Sequence, residues 1–139
     1  MVSRVLVAVD GSEVAEQALR YALDAHPDAE VTVLTVVGVP SAMFGEATAI
    51  ALSADPDRSI EEHAEPVLER VRAVAAECDA EVTTEAAAGH PARTILDRAG
   101  AYDVVVVGSH GGSLADRLFV GNVAESVVRH SPVPVTVVR

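Results

Sequence analysis

Lysine is absent from this chain, and so is tryptophan. Without lysine, the phosphate-binding loop Gly-x4-Gly-Lys-Ser/Thr of the Walker NTPases cannot be built. A phosphoacceptor receiver domain is excluded too, since it needs an acidic pair after the first strand and a lysine near the fifth. The dinucleotide fingerprint Gly-x-Gly-x-x-Gly is missing after the first apolar run, where only Gly11 stands. Cys78 is the only cysteine, so no disulfide can form within the chain and a reducing compartment is expected. No apolar run approaches the roughly 18 residues of a membrane span. The N-terminal VLVAV is cut off at Asp10, too short for a secretory signal. The expectation is a cytoplasmic protein.

Aromatic residues make up only 3% of the chain against 50% hydrophobic residues, so the core must be built from Val, Ala, Leu and Ile. At 139 residues the chain is long enough for one domain with a substantial core. Its formal charge is -11, from 21 acidic residues and 10 arginines. Such a surface repels phosphate backbones and anionic lipid, so no nucleic acid or membrane partner is expected. An acidic, lysine-free, Ala- and Val-rich composition suits a halophilic protein, in which salt screens self-repulsion. A GC-rich coding bias produces the same composition.

Five valine-rich runs alternate with helical patterns: RVLVAV (4–9), EVTVLTVV (30–37), EVTTEAA (81–87), DVVVVG (103–108) and PVTVV (134–138). The first and fourth are apolar throughout, as in strands covered on both faces. The third alternates and carries charge, which marks an edge. Helices are predicted after the N-cap Ser12, from about Asp57 to Cys78 with a kink or break at Pro66, from Pro91, and from Gly121-Asn122 to His130. Cys78 falls on the apolar face of the second of these and is expected in the core. Residues 38–56 fit no element and read as either a binding loop or a plain connection. Strand-helix-strand alternation implies an α/β fold, an open parallel sheet with helices on both faces.

Ligands of such sheets bind beyond the carboxyl ends of the strands where the strand order reverses. In a 3-2-1-4-5 order the loops Asp10-Gly11-Ser12 and Gly108 to Gly112 flank that crevice. A 2-1-3-4-5 order would pair the first loop with residues 87–89 instead. The glycines have two readings, a tight turn or close approach of a ligand to the backbone. The helix that opens near Gly121 would aim free N–H groups and its dipole at the same crevice. Asp10 is either a metal or ligand contact or a turn-former. Of the five histidines none shows metal-ligand spacing, and His110, inside the glycine turn, is the one suited to a ligand. Ser109 lies in Gly-Ser-His-Gly, which is no nucleophile elbow.

Gly108, Gly111 and Gly121 in the spacing Gly-x2-Gly-x9-Gly, followed by a small polar residue, resemble the nucleotide-binding signature of the universal stress protein family. VAVDGSE (7–13), GHPARTIL (89–96), VGSHGG (107–112) and the terminal SPVPVTVV (131–138) are similar to that family's other landmarks, in the same order along nearly the whole chain. The resemblance implies a five-stranded 3-2-1-4-5 sheet, Rossmann-like and of the adenine nucleotide alpha hydrolase-like kind, with ATP as ligand and at most slow hydrolysis. Carried over by position, Asp10, Gly11 and Ser12 form the first loop of the site and Val36 meets the adenine. Val107, Gly108, His110 and Gly111 approach ribose and phosphates, and Gly121, Asn122 and Val123 contact phosphate. Mg or Mn would bridge the phosphates, with Asp10 the nearest carboxylate. Position 122 departs from the pattern: Asn stands where Ser or Thr is usual, bulkier and without a hydroxyl. Asn also caps helices well.

The terminal strand ends the chain with an edge and no covering helix after it, which invites pairing with a second copy. The resemblance implies the same homodimer, through Val133, Val135 and Val137. Three functions follow from these readings: a dimeric ATP-binding stress-response sensor or regulator, a dimeric interaction module in which Asn122 has abolished nucleotide binding, and an enzyme acting on a nucleotide, for which the sequence offers no general base or activated nucleophile.

Overall fold

The computed structural model describes residues 1–37, 56–110 and 121–139. Its elements are β1 (Arg4–Val9), α1 (Glu13–Ala25), β2 (Glu30–Val37), α2 (Pro56–Glu77), β3 (Val82–Ala88), α3 (Pro91–Ala99), β4 (Val104–Gly108), α4 (Asn122–His130) and β5 (Val135–Val138). The strands form one parallel sheet in the order β3-β2-β1-β4-β5. The 2-1-3-4-5 alternative is thereby excluded, and the charged, alternating run is the edge strand β3.

Side-chain parity divides the core between the two faces of the sheet. Val5, Val7 and Val9 of β1 and Val104 and Val106 of β4 pack with Ala18, Leu19 and Ala22 of α1 and Val71 and Val74 of α2. Leu6 of β1 and Val105 and Val107 of β4 pack on the other face with Ala92 and Ile95 of α3 and Ala124 and Val127 of α4. Because β1, β2 and β4 are covered on both sides, their sequences are nearly continuous apolar runs.

Polar contacts fix the elements at their ends. Asp103 accepts the Ser3 and Arg4 N–H groups at 2.8 and 2.9 Å, which ties the start of β1 to the start of β4. Those two donors hold its carboxyl below the usual Asp value. Across the helices, Arg70 of α2 bonds both carboxylate oxygens of Glu16 on α1, at 2.7 and 2.9 Å. That contact, with Arg20, lowers the Glu16 pKa against a smaller opposing effect of burial.

Two local expectations need correction. Of the kink or break expected at Pro66, the break is excluded, because helix α2 runs on through it. Pro66 lies on the exposed face, while Ala64, Leu68 and Val71 on either side of it are buried and hold both halves against the sheet. Cys78 is exposed, not core. The helix stops one residue earlier: Asp79 takes a left-handed φ of 52°, Asp79 N–H donates to Ala76 O and Ala80 N–H to Ala75 O. This is a Schellman cap with Asp in the position glycine usually fills.

Candidate functional site

The order 3-2-1-4-5 places the reversal of the winding between β1 and β4, and their carboxyl ends flank a cleft of about 240 Å³. Its floor is formed by side chains on the α3/α4 face of the sheet: Ala8 of β1, Leu34 and Val36 of β2, and Val107 of β4. Pro91 and Ile95 of α3 form one wall, and Gly121 to Ala124 at the start of α4 the other. Asp10, His110 and Asn122 supply the polar side chains among the described lining residues. An apolar slot with a few polar groups at its rim is the usual make-up of a small-molecule site.

The two helix starts near the cleft differ. At α1, Ser12 Oγ accepts the Ala15 N–H at 3.2 Å, and the Ser12 N–H is itself bonded to Asp10 Oδ1 at 2.9 Å. Glu13 and Glu16 then follow in the first turn. This end is capped by its own side chains and carries two acidic residues in its first turn, against Glu125 alone at α4. At α4 the N-cap is Gly121, which has no side chain to accept the first-turn N–H groups. Residues 122–124 therefore present backbone donors and the positive end of the helix dipole at the cleft wall. Asn122 is the first helical residue, so the capping reading of that side chain does not hold.

The sequence-derived site residues separate into three groups. Asp10, Val36, Val107, Gly108, His110, Gly121, Asn122 and Val123 line the cleft together. Gly11 and Ser12 face a small recess against α2 instead; Gly11 has φ 83°, and a Cβ there would lie 3.3 Å from Val67 Cγ2. Gly111 lies outside the described residues, as does most of the 38–56 stretch. Sequence reasoning missed Ala8, Val9, Ala15, Leu34, Pro91, Ile95 and Ala124, which also line the cleft. The parity shared by Leu34 and Val36 was the available signal.

Gly108 answers the question of turn or ligand in a third way. It has no positive φ. Its missing side chain points at α1, where a Cβ would meet Val14 Cγ1 at 3.0 Å and the backbone of Val14 and Ala15 at 3.3 Å. Glycine is needed there so that α1 can start close against the end of β4.

The sequence profile of the universal stress protein family matches residues 1–139. The chain belongs to this family. A universal stress protein of Methanocaldococcus jannaschii is 26% identical, over 98% of this chain and 81% of its own length. Universal stress protein UspA from Lactobacillus plantarum superposes with a TM-score of 0.76 at 30% identity, covering 99% of this chain and 98% of its own. A universal stress protein from Archaeoglobus fulgidus, solved in complex with dAMP, shares the fold at 20% identity with a TM-score of 0.68, covering all of this chain and 98% of its own. Among the described residues no helix is long and apolar enough to cross a membrane, and no three His, Cys, Asp or Glu side chains gather as a metal site.

Proposed function

We propose that this universal stress protein is a cytoplasmic sensor or regulator that binds ATP in the β1/β4 cleft. The observation that carries the reading is the pairing of an apolar slot with the N-terminus of α4, whose N-cap residue, Gly121, has no side chain to cap it. Ala8, Val36 and Val107 suit the faces of a purine, while the 122–124 N–H groups suit phosphate oxygens. At about 240 Å³ the slot is below the roughly 300–1,000 Å³ of pockets that enclose a drug-sized ligand, so base and sugar enter and the phosphates stay toward the rim. The dAMP complex of the Archaeoglobus neighbour supports an adenine nucleotide as ligand class.

Asp10 determines the metal requirement. Its carboxylate stands at the rim with Oδ1 bonded to Ser12 N–H, on a chain of net charge -11, and would repel a triphosphate alone. Mg or Mn held by the phosphates and this one carboxylate removes the repulsion, in keeping with the way magnesium usually binds.

The same protein is proposed to pair with a second copy through β5. Among the described strands β5 pairs with β4 alone, and Val133, Val135 and Val137 are half-buried. Sedimentation of the full chain against one truncated before Pro132 tests this; equal monomer masses would end it.

A second reading, an interaction module without nucleotide, is favoured by Asn122 at the first helical position, where its carboxamide competes for the space of a phosphate. Titration calorimetry with ATP and magnesium separates the two. Saturable heat is expected, and no heat at millimolar ATP in either dilute or molar salt would favour the second.

A further inference from the structure

Ser109 is polar and only 3% exposed, at the bend between β4 and the cleft. Its N–H donates to Val138 O of β5 at 2.7 Å, and its carbonyl accepts the Gly121 N–H at the start of α4. These two backbone bonds fix the residue's main chain between the edge strand and the helix. Ser109 Oγ lies 2.9 Å from His110 Nδ1, and the His110 ring lines the cleft. Among the described residues that hydroxyl has no other hydrogen-bond partner.

A buried O–H without an acceptor is costly, so the contact is satisfied when Ser109 donates to Nδ1. A neutral imidazole that accepts at Nδ1 carries its proton on Nε2. The opposite tautomer would make the serine an acceptor and leave its own proton without an acceptor among the described residues. We propose that Ser109 is a positioning residue, which holds His110 in the Nε2–H form so that the ring offers the cleft a donor and not an acceptor. A donor matches the sugar and phosphate oxygens of a nucleotide. This step rests on the nucleotide reading for its purpose, though not for its geometry.

The test has one arm that needs no ligand. Nitrogen NMR of the His110 ring, in buffer alkaline enough to keep imidazoles neutral, should show Nε2–H alone in the native protein and a tautomer mixture in Ser109→Ala. Ser109→Ala retains both backbone bonds, so a melting curve close to native is expected alongside. Ser109→Thr, which restores a hydroxyl, should restore the native ring signals. An Nδ1–H ring in the native protein, or ring signals unchanged in Ser109→Ala, would overturn the proposal whatever the protein binds.

The second arm is a double-mutant cycle read by ATP affinity. Ser109→Ala should weaken binding about fivefold in the native background and less than about twofold in a His110→Ala background, because the serine acts through the ring. Equal losses in both backgrounds would show a role independent of His110. A native protein that shows the expected ring signals but ignores ATP would refute the nucleotide reading and leave the tautomer assignment standing.

Discussion

Gly108 and Val14 are packed so closely that a methyl group built on the glycine lies 3.0 Å from Val14 Cγ1. The contact joins the end of β4 to the first turn of α1, the two elements whose loops bracket the cleft. Gly108→Ala is therefore expected to destabilise the fold by about 1–3 kcal/mol, the usual range for overpacking. Adding Val14→Ala should recover part of the loss, since it removes the nearest atom but not the backbone of Val14 and Ala15 at 3.3 Å. Denaturant melts of the single and double variants check this, and a Gly108→Ala protein as stable as the native one would refute the packing argument.

Asp103 gives the fold an acid-sensitive tie. Its carboxyl is held below the usual value by the Ser3 and Arg4 N–H groups, so between the folded and unfolded pKa values the unfolded chain binds more protons. The contribution is complete above the unfolded value of about 3.9 and is lost as pH falls through the lower folded one. Asp103→Asn should melt lower than the native protein at pH 7, with the gap closing in melting curves taken below about pH 4. A gap that stays constant with pH would assign the effect to something other than the charge.

Asn122 stands at the first position of α4, on the cleft wall. Replacing it by serine removes bulk and supplies a hydroxyl, worth about 1 kcal/mol if it bonds a phosphate oxygen. Asn122→Ser is expected to tighten ATP binding about fivefold in calorimetry, while AMP, which lacks the outer phosphates, gains less. Weaker ATP binding by the serine variant would mean that the carboxamide itself is the ligand contact.

Asp79 sits in the left-handed region at the end of α2, with φ 52°. Glycine takes that conformation without a Cβ penalty, so Asp79→Gly should raise stability by up to about 1 kcal/mol despite glycine's greater freedom when unfolded. Thermal melting decides it, and a lowered melting temperature would show that the aspartate side chain stabilises the cap.

The same residue explains one limit of the sequence. Helical periodicity runs on to Cys78 without a glycine or proline to end it, so an Asp-capped Schellman turn leaves no sign in the pattern and the expected helix ends one residue late. Strand assignments were more legible because the valine runs are short, β-branched and separated by turn residues, and because the charge on β3 marked it as an edge. Strand order was not decided by the runs themselves; two orders remained, and the family resemblance selected between them. In the cleft, Asp10, Gly108 and the helix start near Gly121 are legible because they stand at strand ends and a helix start, whereas Val36 and Val123 come only from the family resemblance. The reason for Gly108 was not, since the direction of its missing side chain depends on how β4 registers against α1. Ala8 and Ile95 were missed because a small or aliphatic residue in a strand or helix looks the same whether it faces the core or a ligand.

The most direct measurement is an NMR titration of the protein with ATP and magnesium, following the methyl groups of Ala8, Val36 and Val107 and the amides of residues 121–124. The account predicts saturable shifts concentrated on these two sets, with the Val67 and Gly11 side of the Asp10 turn little affected. Shifts confined to that α2 side, or none at millimolar ATP, would contradict it.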